Sequence, residues 1–460
     1  MNASPPDASP GLGALLSPRS IAVVGASTQP HKVGGMPIRL LRENGYAGAV
    51  YPVHRSADRI QGLRAFPSVD AIGAPVDLGV VAVPQAECEA ALAQLVRAGA
   101  RAAVVFTSGF AEVSPEGARL QDRLAAMARE AGLALLGPNC LGAMNLHEHV
   151  FATFSPVVLG GAPPAGPVGL VSQSGAFGGY AFSLARERGV GIGHWITTGN
   201  EAGVQVADAI AWLAREPACQ SILAYLEGAR DLERLRAALL AARAAGKPVT
   251  LAKVGHTQAG RRAARLHTGS DTGDAREYRE LFDACGVRTV STIAGLFGEA
   301  APYAPIAPAA LGQAVAIFSI SGGVGIMMAD RAEELGLALP PLPADAAERL
   351  THAIPFASTV NPIDVTGQVF SQPEVLVRAL RDAATCGRYD RVAVFLAAAG
   401  QAPGVWPLLQ DCIAQLRTDA GAARLVLSGI LSAGQREWLQ AQGCPVFAEP
   451  TQAIEAAATR

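Results

Sequence analysis

Aromatic residues make up only 5% of this 460-residue sequence and charged residues only 17%, against the ~25% charged usual for soluble domains. A core short of rings has to be filled by small aliphatic side chains, and a sequence that is 50% hydrophobic and carries 50 glycines supplies that packing. Such a balance suits α/β layers, where glycine lets helices approach strands, and it excludes a disordered chain. Neither sign of charge prevails, since 37 Lys and Arg face 39 Asp and Glu. A duplex-binding protein needs a basic surplus to displace counterions, so nucleic acid is excluded as the principal ligand. Cysteine is sparse: the seven thiols are scattered, odd in number and free of CxxC pairs. That pattern points to reduced thiols in the cytosol, not to disulfides or zinc. Long apolar runs are missing too. No Asp, Glu, Lys or Arg occurs between Glu148 and Arg186 or between Glu299 and Asp330, but proline and glycine clusters interrupt both stretches. A spanning helix needs ~20 apolar residues in sequence. The start, MNASPPDASPGLG, lacks the basic region and apolar core of a signal peptide. The expectation is a soluble, cytoplasmic protein with neither membrane nor nucleic acid as partner.

What the sequence does contain is a repeated heading. IAVVGAS begins at Ile21, VGLVSQSG at Val168 and VAIFSISGG at Val315, at equal intervals. Each is a β-branched run, then Ser and Gly, then a helical pattern, which reads as a buried parallel strand feeding a helix. Equal spacing at domain size means serial βα domains, not a solenoid. Proline-rich connectors, GGAPPAGP at 160–167 and APYAPIAPAALG at 301–312, precede the second and third headings. Strands are expected at 49–53, 78–83, 102–106, 222–226, 248–253, 391–396 and 424–428, alternating with helices. The fold class is therefore α/β, with three serial doubly wound parallel-sheet domains at 12–145, 166–300 and 312–460.

Ligands of such sheets sit beyond the carboxyl ends of the strands. Gly25-Ala26-Ser27 closes the first heading and Gly34 follows before a helix, which reads either as a phosphate-binding turn or as a plain strand–helix turn. There is no G-x-G-x-x-G, and the next strand ends Pro52-Val53-His54-Arg55 without an acid for a ribose diol, so NAD is disfavoured. Arg55 suits a phosphorylated ribose, as in NADP or coenzyme A. Ser174-Gly175 opens a helix after the second heading, as a simple cap or an anion site, and its glycines do not form a nucleophile elbow. None of the eight histidines has HExxH spacing. His147 and His149 read as solvated interdomain-loop residues. His267, in a Gly/Ser loop after Arg261, Arg262 and Arg265, is either a bland loop residue or a phosphoryl acceptor. Glu227 ends a strand, as a surface acid or as a carboxylate that orients an imidazole.

Taken in order, SIAVVGAS, YPVHRSADRIQGLRAFPSV, GPNCLGAMN, GLVSQSGAFGG, ILAYLEGARD, KPVTLAKVG, GRRAARLHTGS, STVNPIDVTG and FAEPTQAI resemble the NDP-forming acyl-CoA synthetases. These belong to the succinyl-CoA synthetase superfamily, and the likeness is strongest to the α-type part of ADP-forming acetate–CoA ligases. The resemblance implies a Rossmann-like CoA-binding domain followed by two flavodoxin-like ligase domains. It implies acyl-CoA + phosphate + ADP ⇌ carboxylate + CoA + ATP, through an acyl phosphate and a phosphohistidine. His267 would carry the phosphoryl group, Glu227 would orient it, and Ser174 and Gly175 would hold phosphate. Gly25, Ala26, Ser27 and Gly34 would contact CoA, with Pro52 and Val53 beside its adenine and ribose and Asn139 nearest the thioester. The family also uses an ATP-grasp module, for which no counterpart and no P-loop is seen. Either a separate ATP-grasp subunit supplies ATP/ADP and Mg²⁺ binding in a hetero-oligomer, or this protein does not complete the ATP half-reaction. His54-Arg55 and Asp271-Thr272 depart from the family's usual Asn-Pro and Leu-Ala. A non-catalytic CoA sensor or scaffold and an NADP-dependent oxidoreductase are the rival readings.

Overall fold

The computed structural model describes residues 11–267, 269, 271–299, 313–354, 357–365, 372–402 and 404–459. The connector at 301–312, with Thr268 and Ser270 of the histidine motif, lies outside the described residues. The chain forms two compact units, Met1–Leu251 with Arg276–Thr289, and Ala252–Ala275 with Val290–Arg460.

The first sheet comprises β1 (Ser20–Val24), β2 (Ala49–Val53), β3 (Leu78–Val81), β4 (Ala102–Val105) and β5 (Ala134–Leu136), all parallel, in the order β2-β1-β3-β4-β5. Helices α1 (Met36–Glu43), α2 (Cys88–Arg97) and α3 (Pro115–Glu130) connect its strands. β1 and β3 are buried along their whole length, as strands covered on both faces must be. Small residues set the spacing. A Cβ on Gly79 of β3 would run into the δ-methyl groups of Leu95, so the missing side chain is what lets α2 lie close to the sheet.

The second sheet contains β6 (Gly142–Asn145), β7 (Val150–Thr153), β8 (Val168–Ser172), β9 (Ile192–Thr197), β10 (Ser221–Leu226), β11 (Val249–Lys253) and β12 (Arg288–Val290). Its order is β12-β11-β10-β8-β9-β6-β7. Helices α4 (Gly175–Glu187), α5 (Val206–Arg215) and α6 (Leu232–Ala244) belong to it. One edge corrects the expectation of purely parallel sheets: β6 and β7 form a hairpin, and β6 pairs antiparallel with β9. A hairpin needs only a short turn and no crossover helix, so the βα signature that marked the other strands was absent here. His147 and His149 accordingly occupy the turn of this hairpin and not a loop between domains.

In the second unit, α7 (Gln258–His267) packs on α8 (Gly322–Glu334). The third sheet has β13 (Val315–Ser319), β14 (Ile363–Asp364), β15 (Arg391–Phe395), β16 (Arg424–Ser428) and β17 (Val446–Phe447), all parallel, in the order β14-β13-β15-β16-β17. The three headings are thus β1, β8 and β13. Counting from each heading strand, every sheet repeats the doubly wound order 2-1-3-4-5, whose switch point lies beside the heading. The strands expected at 49–53, 102–106, 222–226, 391–396 and 424–428 all appear within one residue of those bounds. Among the described residues no helix is long and apolar enough to cross a membrane.

The fit of α2 on β3 is testable. Gly79→Ala should overpack the fully buried Leu95 and destabilise the first unit by about 1–3 kcal/mol, seen as an earlier first transition in urea unfolding.

Candidate functional site

The chemistry-bearing residues of the second sheet hang from the carboxyl ends of its adjacent central strands β9, β8 and β10. After β8, Ser174 is the N-cap of α4, its Oγ accepting from the Phe177 N–H at 3.4 Å. Ser172 Oγ donates to the Ser174 carbonyl at 2.6 Å and fixes the turn. Gln173 reaches across to the end of β10: its Oε1 accepts from the N–H groups of Glu227 (2.6 Å) and Gly228 (3.2 Å), and its Nε2 donates to the Gly228 carbonyl at 2.7 Å. Glu227 is fully buried, with the Tyr225 hydroxyl 3.4 Å from its Oε1 and Tyr225 stacked on Phe177. The structure therefore brings Ser174, Gly175 and Glu227 together in the first unit. Glu227 is no surface acid.

After β9 lies a polar cluster that sequence reasoning missed. Asn200 Nδ2 donates to Glu112 Oε2 (2.5 Å) and Gln121 Oε1 (2.9 Å), its Oδ1 accepts from Asn139 Nδ2 (3.2 Å), and its carbonyl accepts from Arg230 (2.7 Å). Glu112 also accepts from the N–H groups of Gly109 and Phe110. Asn139, expected near the thioester, is thus tied to the second sheet through Asn200. Both Asn139 (φ 57°) and Glu201 (φ 56°) hold the left-handed conformation, a strain that clusters at functional sites. Glu201 is 3% exposed and accepts from Thr198 Oγ1 (2.9 Å) and the Val206 N–H (2.8 Å). Burial pushes its carboxyl up to about 7, against the pull of those bonds and of Arg230. A signal was present in TTGNEAG, a Gly-Asn turn directly after a strand, but no heading marked it.

In the first sheet the glycine turn is closed on itself. The N–H groups of Gly25 and Ala26 donate to the Val53 carbonyl (3.2 and 3.1 Å), and that of Ser27 to Gly34 (3.2 Å). A Cβ on Gly34 would strike the Gly25 carbonyl, so the pair needs glycine for close approach. Of the first α1 residues, Met36 donates to Lys32 and Pro37 has no N–H. The turn therefore presents no row of open amides: Ser27 Oγ accepts from the Gln29 N–H at 3.1 Å, and Pro52 and Val53 lie buried alongside in β2. Arg55 pairs with Glu87 at 2.7 Å.

In the second unit, His267 is the last residue of α7, which corrects the loop placement: the run QAGRRAARL is helical right up to it. The start of α7 is anchored on α8. Asp330, 3% exposed, accepts from the Gly255 N–H (2.6 Å) and from Thr257 N–H and Oγ1 (3.0 and 2.7 Å). His256 bridges Asp330 (3.2 Å) and Glu334 (2.8 Å), and hydrogen bonds to those carboxylates push its imidazole up to about 9. At the other end of α7, His267 lies over the first residue of α8, where a Cβ on Gly322 would collide with the imidazole Nδ1. Ser321 caps α8 as Ser174 caps α4, and Asp364 Oδ2 stands 3.5 Å from His267 Nδ1. Among the described residues no group of three or more His, Cys, Asp or Glu is arranged to hold a metal ion.

Comparison with known proteins shows what the chain as a whole is similar to. Residues 19–145 match the CoA binding domain family, and residues 165–302 match the succinyl-CoA ligase like flavodoxin domain. The chain is 31% identical to the acetate–CoA ligase [ADP-forming] II subunit alpha of Pyrococcus furiosus, covering 96% of each. It is 32% identical to the acetate–CoA ligase [ADP-forming] I of Archaeoglobus fulgidus, covering 96% of this chain and 62% of that one. Among solved structures it is similar to the dinucleotide-forming acetyl-coenzyme A synthetase 1 of Ca. Korarchaeum cryptofilum in complex with phosphate and ADP. That match has a TM-score of 0.58 and 26% identity, over 97% of this chain and 95% of that one.

Glu201 makes stability depend on pH. Its folded value of about 7 lies above the ordinary 4.5, so the native state holds the proton longer than the unfolded chain. Its contribution is complete below pH 4.5 and is lost as pH rises through about 7. Glu201→Gln, which keeps the neutral shape, should flatten that slope and leave the protein more stable than wild type at pH 8, by on the order of 1–3 kcal/mol. Urea midpoints measured from pH 5 to 8 check this.

Proposed function

This chain belongs to the family of ADP-forming acetate–CoA ligase α subunits, and from that premise we propose how its own residues run the acyl half of acyl-CoA + phosphate + ADP ⇌ carboxylate + CoA + ATP. The observation that carries the proposal is the meeting of a buried carboxylate, Glu227, with a Ser174-capped helix start at the switch point of the second sheet. Phosphoryl transfer asks for positioning and charge stabilisation more than for covalent activation. The first-turn N–H groups of α4 that Ser174 does not take supply positive charge where phosphate oxygens would sit.

In this reading phosphate attacks the thioester carbonyl, the C–S bond breaks, and CoA leaves as a thiolate that takes up a proton. The acyl phosphate then meets His267. Its Nε2 lone pair attacks phosphorus, the bond from phosphorus to the acyl oxygen breaks, and the carboxylate departs. Glu227 orients the imidazole for this step. CoA packs against Gly25, Ala26, Ser27 and Gly34, with adenine and ribose beside Pro52 and Val53. Because the turn's amides are already engaged, recognition there rests on shape and the Ser27 hydroxyl. Asn139, held by Asn200, lies toward the reacting thioester. The division of labour is a CoA-binding domain at 12–145 and ligase domains at 166–300 and 312–460.

The phosphoryl group passes onward to ADP on a separate ATP-grasp subunit, making the enzyme a hetero-oligomer of the cytoplasm. The naming of a Pyrococcus relative as subunit alpha supports this arrangement. Mg²⁺ belongs with the nucleotide on that partner. Among the described residues of this chain no group of three or more His, Cys, Asp or Glu could hold such an ion. The family relationship favours this catalytic reading over a non-catalytic CoA sensor.

Peptide mapping after incubation with Mg²⁺, phosphate and a panel of short and aromatic acyl-CoAs tests the proposal. The peptide holding His267 should gain a phosphoryl group that His267→Asn abolishes and Glu227→Gln slows by about 10–100-fold. A wild-type chain that binds CoA yet takes no phosphoryl group, even with an ATP-grasp partner added, would overturn it.

A further inference from the structure

We propose that Asp364 is a positioning residue for His267: its carboxylate holds Nδ1 of the imidazole and leaves Nε2 as the phosphoryl-accepting nitrogen. This rests on the reading of His267 as phosphoryl carrier and adds to it a carboxylate distinct from Glu227. Three features of the second unit carry it. The nitrogen facing Asp364 Oδ2, at 3.5 Å, is Nδ1. Both side chains are largely shielded, at 24% and 14% exposure. The imidazole is also packed against Gly322, where any side chain would displace it.

Asp364 is itself held rigidly. It exchanges backbone hydrogen bonds with Ser358 (3.1 and 2.9 Å), and the next N–H, of Val365, donates to Ser319 at 3.0 Å. The approach to β14 is locked by the fully buried Asn361, which accepts from the Ile317 N–H (2.9 Å) and donates to the Val315 carbonyl (2.7 Å). The Asn361 carbonyl in turn accepts from Arg262 of α7 at 3.3 Å. Helix and carboxylate are therefore referred to one another through β13, and a carboxylate on such a frame can select a tautomer.

Neutral imidazole carries one N–H, and free imidazole side chains favour it on Nε2, the nitrogen that must be bare to attack phosphorus. A carboxylate at Nδ1 draws the proton there. When Nε2 takes the phosphoryl group, the P–O bond to the acyl oxygen breaks, the carboxylate leaves with the electron pair, and the Nδ1 proton stays. Asp364 then balances the positive charge that appears on the ring. Nothing is oxidised or reduced.

The test uses the full-length chain with ¹⁵N-labelled histidine, read by two-bond proton–nitrogen correlation, and phosphorylated from acyl-CoA and phosphate. Wild-type His267 should be the Nδ1–H tautomer. In Asp364→Asn it should move toward Nε2–H, and phosphorylation should slow by about 10–100-fold, with circular dichroism and CoA affinity unchanged. Asp364→Glu should restore the tautomer and part of the rate, which a merely structural role would not predict. The two possible failures separate cleanly. A wild-type chain that takes no phosphoryl group overturns the carrier reading and Asp364's role with it. Normal phosphorylation together with an unmoved tautomer in Asp364→Asn overturns Asp364 alone.

Discussion

A strand that ends inside a parallel sheet leaves its last amides without ladder partners, and in the second sheet one side chain answers for them. Gln173, at the end of β8, takes two N–H groups and serves one carbonyl at the end of β10. A buried N–H left unmatched costs about 1–3 kcal/mol, so this single amide holds two strand ends together. Everything beyond depends on it: Glu227 can be a fully buried carboxylate in a fixed place because its own backbone is clamped from the neighbouring strand. The third sheet repeats the same sequence frame with Ile320 at the corresponding position, and no such clamp can form there.

Around that clamp the first unit accepts local costs. Glu201 and Asn139 sit in the left-handed region, each at about 1–3 kcal/mol, and a carboxyl is buried beside Thr198 and Val206. Such choices persist only when the surroundings over-determine them. Asn200 provides that, joining the loop of Glu112, helix α3 and Asn139 through one side chain. The edge where CoA chemistry is proposed is thereby made stiff, at the expense of stability that a purely structural protein would keep.

The sequence told most where local and global signals coincided. β-branched runs at Ile21, Val168 and Val315 could only be buried strands, and all are the heading strands of like-ordered sheets. Ser174 and Glu227 were legible for the same reason, as polar residues placed directly after such strands. Three things were not legible. The β6–β7 hairpin carries no crossover helix, so its strands left no βα pattern around His147. The reach of α7 to His267 depends on Asp330 and Glu333, more than 60 positions further along the chain, satisfying the amides at its start. Asp364 was visible within STVNPIDVTG, yet nothing local says that its partner is an imidazole nearly 100 residues earlier.

The second and third sheets share more than strand order. Ser172-x-Ser174-Gly175 and Ser319-x-Ser321-Gly322 make the same turn: the first serine donates to the carbonyl of the second, at 2.6 and 2.7 Å, and the second caps a helix of 13 residues. Each frame also has a carboxylate at the end of a strand next to its heading strand, Glu227 on β10 and Asp364 on β14. The likeness has a chemical logic. An imidazole that accepts a phosphoryl group on one nitrogen must keep its proton on the other throughout, because changing tautomer means releasing one proton and gaining another. A carboxylate facing Nδ1, as Asp364 does at 3.5 Å, supplies that hold for as long as the imidazole stays beside it.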